Sequence, residues 1–349
     1  MDVGLILGDV HGRVSPAEHL DGLLRQVEAA QRAGITWIVM GHHYLYGEYR
    51  WLQPIPTLAR LTSELDPSVR LGTFIMQVPL LHPVTLAEDL ATLDLLTGGR
   101  LTVGLGAGYR PEEFTALGIP FDERFSRFEE GLDIMMKLWT QDAVTHHGRF
   151  YELNDVRPHI QPRQTPRPPL WIGAMGSKGV QRAAKWGDAW PITPEATVPR
   201  ARELLTLFED ERDAQGKPQA LHPIRREIVV GKTEEEAFAR YESMTRERLL
   251  AYARRSLVTR DESELLNTFR EVAEREALIG TPRQVENKAR ALASQLPVDP
   301  IIVRAQWPGM SAEAVTRYLE ILGRDVVPTL REITPVERVQ REGEGLENR

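Results

Sequence analysis

Residues 69–108, VRLGTFIMQVPLLHPVTLAEDLATLDLLTGGRLTVGLGAG, contain one complete strand–helix–strand unit, and that unit constrains the fold of the whole chain. Residues 69–75 are a short apolar run. Pro83 opens a helical stretch in which Leu86, Leu90 and Leu93 recur at helical spacing, and Gly98-Gly99 stop it. Residues 101–105 form the next apolar run, closed by Gly106 and Gly108. A strand, a crossover helix and a second strand of this size form a right-handed parallel unit. Ligands of such units gather at the carboxyl ends of the strands, here residues 73–76 and 106–109.

The alternation continues on both sides. Residues 3–7 read as a strand, and Ser15-Pro16-Ala17-Glu18 carries the N-cap, proline and glutamate of a capped helix. Leu20, Leu23, Val27 and Ala30 give that helix its buried stripe, and Gly34 ends it. Residues 35–40 are the second strand and 55–65 the second helix. Phe125, Phe128, Leu132, Met135 and Trp139 mark a later amphipathic helix. Residues 141–168 break the rhythm as an insertion with a hairpin candidate at 148–153. Strands are then expected at 169–174, 188–192, 226–230 and 301–305. A helix is expected at 180–186, a charged excursion at 256–281, a capped helix at 283–296 and a frayed tail from Glu332. About eight strand–helix units predict a (β/α)8 TIM barrel with insertions. A doubly wound open sheet is the competing arrangement.

Composition narrows the function classes. The 349-residue chain has no cysteine and a formal net charge of −7, which excludes disulfides, thiolate catalysis and cysteine-ligated metals. No Lys/Arg stripe is interleaved with aromatics, so a nucleic-acid partner is not expected. No apolar run reaches the roughly 20 residues of a membrane span, and the first residues lack a signal peptide's basic segment. A soluble, cytoplasmic protein is the expectation.

Four local motifs carry chemistry. Gly8-Asp9-Val10-His11-Gly12-Arg13 resembles the first motif of the metallophosphoesterases, but the second aspartate and Asn-His motifs of a two-metal site are missing. Asp9 and His11 therefore read as a polar turn, and no metal site is expected. Gly104-Leu105-Gly106-Ala107-Gly108 lacks the third glycine of a dinucleotide fingerprint, with Tyr109 in its place. It reads as a loop that lets a planar or anionic ligand approach the backbone. The stretch from Gly173 and Ala174 through Met175, Gly176, Ser177, Lys178 and Gly179 joins a strand to a helix, and its small residues and amides suit a phosphate. His42-His43 follows the second strand in a loop rich in aromatics (Tyr44, Tyr46, Tyr49, Trp51), as a lined pocket would.

With these residues assembled, the chain resembles the bacterial luciferase-like flavin monooxygenases over nearly residues 1–331. The resemblance rests on His42-His43, LGTFIMQVPLLHP, GGRLTVGLGAGYRPEEFTALGIPFDER, WIGAMGSKG, Gly280-Thr281-Pro282 and GRDVVPTLRE. It implies one barrel domain over 1–331, insertions near 141–168 and 256–281, and a disordered tail at 332–349. It also implies reduced FMN, or in one branch F420, lying across the strand ends, and a non-proline cis bulge at Phe74–Ile75. Flavin contacts are expected at Thr73, Phe74, Ile75, Gly106, Ala107, Gly108, Ala174, Met175, Gly176, Ser177 and Gly179, with His42 as the catalytic residue. Trp37, Phe74, Tyr109, Trp190 and Trp307 are the expected pocket walls.

The implied activity is oxygenation of a small organic substrate with O2, using reduced FMN from a separate NAD(P)H-dependent flavin reductase, in a homodimer. An F420-dependent hydride-transfer enzyme and a flavin-binding protein without turnover are the alternatives. Five positions depart from luciferase. Gly41 replaces an acid and Ala107 an arginine, while Met175, Gly176 and Gly179 replace acidic and hydroxyl residues of the phosphate loop. The light reaction and the aldehyde substrate are therefore not implied.

Overall fold

The computed structural model describes every residue except 12, 255–268, 308 and 340–349. Its first strand, Val3–Leu7, is buried along its whole length, as a parallel strand covered on both faces must be. On one side it pairs in parallel with the second strand, Trp37–Met40, and on the other with the last, Val298–Arg304. The second strand pairs with the third, Arg70–Thr73, which pairs with the fourth, Leu101–Gly106. The fifth, Leu170–Ile172, adds to the fourth, and His222–Arg225 adds to the last. Residues 188–192 close the circuit through parallel bridges Trp171↔Ala189 and Ile192↔Ile224. Seven strands and this segment make the eight staves of a TIM barrel.

The helices form where the caps predict them. Ser15 and Glu18 make a reciprocal capping box on Pro16–Arg32, and Thr281 and Gln284 make another on Pro282–Ala293. Gly34, at φ +79°, turns the chain out of the first helix. The main core lies between strands and helices. A second cluster fills the barrel itself: Ile6, Trp37, Val39, Trp171, Ala189 and Ile302, with Phe74 packed on top. Trp37 stacks on Trp171 at 5.0 Å, and Phe74 meets Trp171 edge-on at 6.0 Å. This plug leaves only the carboxyl rim for a ligand.

Three expectations change. The stave expected at 226–230 is His222–Arg225, and Glu227–Val230 leaves the barrel to pair in parallel with Ala277–Gly280. The apolar run EIVV drew the assignment because HPIR looks too polar for a stave. His222 nevertheless lies buried against Phe208, and its Nδ1 accepts from the Trp190 amide at 3.0 Å. The excursion at 256–281 contains the helix Phe269–Glu276 and the strand Ala277–Gly280, and its residues 256–268 lie outside the described residues. The tail does not fray at Glu332. Ile333 and Val339 are buried, and the N-terminal ammonium donates to the carbonyls of Leu330 and Ile333. Val336 and Val339 amides donate to the Ala293 carbonyl and the Glu209 carboxylate. Residues 340–349 of the expected tail lie outside the described residues. The hairpin in the first insertion does form, between Val144–His147 and Glu152–Val156.

At Gly104 the barrel wall brings neighbouring backbone closest to a glycine's Cβ position. A Cβ there would collide with the carbonyl oxygen of Thr73 and stand 2.7 Å from Ile75 Cγ2. Gly104→Ala should therefore cost about 1–3 kcal/mol, the range for overpacking against atoms that cannot move freely. Gly22, in the first helix with nothing near its Cβ position, supplies the control. Gly22→Ala should add about 0.5–1 kcal/mol. Urea midpoints of the two variants should shift in opposite directions.

Candidate active site at the carboxyl ends of the strands

The site is organised by an interruption in the third strand. Its ladder with the fourth strand runs to Gly72↔Thr102 and resumes one residue out of step at Met76↔Leu105 and Gln77↔Gly106. Between these, Thr73 Oγ1 both donates to the Gly104 carbonyl and accepts from the Gly104 amide, each at 2.8 Å. One hydroxyl thus replaces the missing backbone rungs. The peptide bond between Phe74 and Ile75 is cis, where the resemblance placed it. The Ile75 side chain lies against a row of glycines, within contact of the Cβ positions of Gly104, Gly106 and Gly173. Phe74 and Ile75 remain half-buried at the rim.

Next to this bulge, the second strand delivers His42 and His43 into different environments. His42 is 1% exposed, and its Nδ1 accepts from the Gln77 amide at 3.2 Å. The neutral ring therefore carries its proton on Nε2, and that atom is buried with no hydrogen-bond partner. Burial and the adjacent His43 push the imidazole down to about 4. An unsolvated imidazolium is disfavoured there, so the ring stays neutral at pH 7.

His43 instead faces Glu113, its Nδ1 3.0 Å from Oε1. The same carboxylate accepts from the Tyr44 amide at 2.7 Å and from Gln77 Nε2 at 3.2 Å. Burial works to raise the Glu113 carboxyl, but these hydrogen bonds outweigh it and hold the group below the ordinary carboxylate value. Gln77 Nε2 also donates to the His42 carbonyl at 2.8 Å. Gln77 and Glu113 thus fix both histidines, and neither was singled out from the sequence. Each sits inside a quoted block, but only the fold turns it towards the histidine pair.

The fifth strand ends in the other half of the site. Met175 is the N-cap residue of the helix Gly176–Trp186 and gives it no side-chain cap. The amides of Gly176, Ser177 and Lys178 are therefore left to external acceptors. Gly176 holds φ +69° with open space around it, and a Cβ on Gly179 would stand 3.2 Å from that of Ala174. Gly106, Ala107, Gly108, Ala174, Ser177 and Gly179 are half-buried or better along this rim, while Met175 is 80% exposed.

Two expected walls lie elsewhere. Trp37 begins its strand and belongs to the barrel plug. Trp190 points outward into the main core, and its Nε1 donates to the Ala174 carbonyl at 3.0 Å, bracing the loop from behind. Tyr109 stands edge-on to His43 at 5.7 Å, and Trp307 lies 5.7 Å from the Arg304 guanidinium. Asp9 faces Arg304 at 2.7 Å with both side chains buried. Among the described residues no three His, Cys, Asp or Glu side chains are grouped to hold a metal.

The family model for luciferase-like monooxygenases matches residues 1–299. This chain belongs to that family. Its first curated relatives are covered only in part. The match to the uncharacterized protein y4vJ of Sinorhizobium fredii is 33% identical over 180 residues and spans about half of each chain, 51%. The FMNH(2)-dependent dimethylsulfone monooxygenase of Pseudomonas putida is 29% identical over 274 residues, 72% of this chain and 71% of that one. The F420-dependent hydroxymycolic acid dehydrogenase of Mycobacterium tuberculosis is 26% identical, covering 63% and 61%. Among solved structures, the monooxygenase RslO1 of Streptomyces bottropensis superposes with a TM-score of 0.79 at 26% identity, covering 94% of this chain and 99% of that one. This member of the family therefore has relatives named for each of two flavin-type cofactors. No helix among its described residues is long and apolar enough to cross a membrane.

The buried histidines give a pH prediction. His42 and His222 are lowered from 6.5 to about 4 and about 3, both chiefly by burial. Between those values and 6.5 the unfolded chain binds more protons than the folded one, so stability rises with pH across that window. The contribution is complete above about 6.5 and is lost as the pH falls. Urea midpoints should drop between pH 6.5 and 4, and less steeply in His42→Gln. The ring resonances of His42 should not shift between pH 8 and 5.

Proposed function

We propose that this chain is a flavin-dependent monooxygenase that takes reduced FMN from a separate NAD(P)H-dependent reductase and oxygenates a small organic substrate with O2. The observation that carries the reading is His42. Its ring is neutral and buried beside the Phe74–Ile75 bulge, with Nδ1 occupied and Nε2–H unpaired. A polar atom desolvated without a partner is costly, and one at the rim of a barrel fits a ligand that completes it.

The residues fit a flavin on three counts. Ile75, seated on Gly104, Gly106 and Gly173 and half-buried at the rim, gives an apolar support. The uncapped helix start at Gly176 offers amides to a phosphate. The unpaired Nε2–H of His42 supplies a donor. Bound reduced flavin supplies two electrons and the capacity to activate O2. The chain's own part is to bind, orient and exclude water. The amides of Gly176, Ser177 and Lys178 hold the phosphate, with the Ser177 hydroxyl beside them. Phe74 and Ile75 would support the flavin's ring system. His42 donates one hydrogen bond from a fixed tautomer, set by Gln77, at the site of reaction. With its pKa near 4, it acts as a positioned donor and not as an imidazolium acid at neutral pH.

FMN is favoured over F420 because the relative named for FMNH(2) aligns over more of this chain than the one named for F420. The homodimeric assembly and cytoplasmic location belong to the same reading. Equilibrium titration with FMN, reduced FMN and F420 tests it directly: reduced FMN should bind most tightly, and preferred F420 binding would replace the oxygenase with a hydride-transfer enzyme.

Two variants probe the roles. Removing one preorganised donor costs about 10²–10³ in rate, so His42→Ala should still bind FMN through the contacts on the other strands, while oxygenated product falls by about that factor and peroxide release rises. An unchanged product-to-peroxide ratio would reduce His42 to pocket lining. Gly176→Leu should weaken FMN binding well beyond any loss of stability, because a side chain at φ +69° distorts the turn that presents the amides. Unaltered FMN affinity in a folded Gly176→Leu chain would remove the phosphate from this helix.

A further inference from the structure

The connection after the fourth strand contains an arginine that the flavin reading does not use. Arg110 is only 8% exposed. Its guanidinium lies over the Tyr46 ring at 4.2 Å, and its Nη1 is buried without a hydrogen-bond partner. The guanidinium makes no ion pair among the described residues. The buried acid three residues on, Glu113, has its carboxylate committed to His43, the Tyr44 amide and Gln77. An arginine stays charged when buried, and a buried charge without a counter-ion is strongly disfavoured. Cation–π contact with one tyrosine offsets only part of that cost.

The surroundings define what is missing. Tyr46 also meets His43 at 4.6 Å and Trp51 at 5.3 Å, and His43 meets Trp51 at 4.8 Å and the exposed Tyr109 at 5.7 Å. Trp51 Nε1 donates to the Gly41 carbonyl at 2.8 Å, so this aromatic group is fastened directly before His42. Tyr46 follows the second strand, whereas the helix start at Gly176 follows the fifth. The strand order places the third and fourth strands between them. The Arg110 guanidinium is thus turned towards the loop after the second strand. A flavin phosphate held at Gly176 leaves the Arg110 charge uncompensated.

We propose that Arg110 and Tyr46 form the anion end of a substrate subsite, and that the substrate joins an oxyanion, such as a carboxylate, to an apolar or aromatic body. The oxyanion pairs with the unpartnered edge of the guanidinium, and the body lies among His43, Trp51 and Tyr109, next to His42. The word substrate rests on the oxygenase reading; the anion site itself does not.

The test uses the full chain without flavin and three probes: sulfate as the bare oxyanion, benzoate, and uncharged benzamide. Calorimetry and thermal shift should show benzoate binding to the wild type in clear preference to benzamide, with sulfate competing. A charge-assisted bidentate contact corresponds to roughly 10- to 100-fold in affinity, so Arg110→Met should lose benzoate by about that factor while its weak benzamide binding persists. Arg110→Lys keeps the charge without the fork and should lie between the two. The Lys variant and the wild-type preference decide the matter if the Met variant does not fold.

Three results overturn the proposal: equal binding of benzoate and benzamide, no binding of either sulfate or benzoate, or full benzoate affinity in Arg110→Met. Loss of FMN binding in Arg110→Met with benzoate binding intact also overturns it, by assigning the guanidinium to the cofactor. A wild type that binds benzoate through Arg110 but neither FMN nor F420 defeats the oxygenase reading alone and leaves the anion site standing.

Discussion

The geometry of the candidate site depends on a break in the hydrogen-bond ladder between the third and fourth strands. A closed parallel barrel satisfies its backbone groups stave by stave, so an unpaired residue in the wall exposes polar atoms that need other partners. Thr73 meets that need with one hydroxyl, bonded to both the amide and the carbonyl of Gly104. Gly104, Gly106 and Gly173 leave the space that Ile75 fills. The extra residue shifts the register so that Gln77 comes to lie opposite Gly106. From there it reaches His42 through its amide and both the His42 carbonyl and Glu113 through its side chain. Backbone accounting in the wall thus fixes the tautomer of the histidine at the rim.

The electrostatics of the rim follow a related logic. Charges that leave water need partners, and three of the rim's charges have them: Asp9 and Arg304 in one pair, and Glu113 with its three donors. The first pair ties the end of the first strand to the end of the last, where the barrel closes. The second ties the helix Pro111–Ala116 to the histidine loop. Against these satisfied groups, the unpaired Nε2 of His42 and the unpaired guanidinium of Arg110 stand out. They lie on either side of the aromatic group around His43.

The plug of Ile6, Trp37, Val39, Trp171, Ala189 and Ile302 explains why chemistry is confined to one end. Its two tryptophans stack across the barrel and support Phe74 from below. The bulge is thereby backed by close-packed side chains, whose positions cannot be adjusted independently. Trp190 contributes from outside the barrel by holding the Ala174 carbonyl. Residues that looked from their positions like pocket walls serve instead as its foundation.

Much of this was legible in the sequence because it depends on local chemistry. The capping boxes at Ser15 and Thr281, the glycine stop at Gly34 and the strand–helix alternation are settled by neighbouring residues, and they specify a barrel. The glycines after the fourth and fifth strands marked the rim for the same reason. The stave at 222–225 escaped notice because its histidine and arginine count as polar until their partners are known. The segment at 332–339 looked too polar to pack, yet Ile333 and Val339 find cover between elements distant in the chain. Gln77, Glu113 and Arg110 acquire meaning only from what faces them, across sequence separations that no local pattern encodes. The sequence by itself determined most of the strands, the helix caps and the alternation that builds the barrel. The tertiary structure decided which histidine is neutral, which carboxylate is spent and which cation lacks a partner, because those depend on desolvation and on contacts made only when the barrel closes.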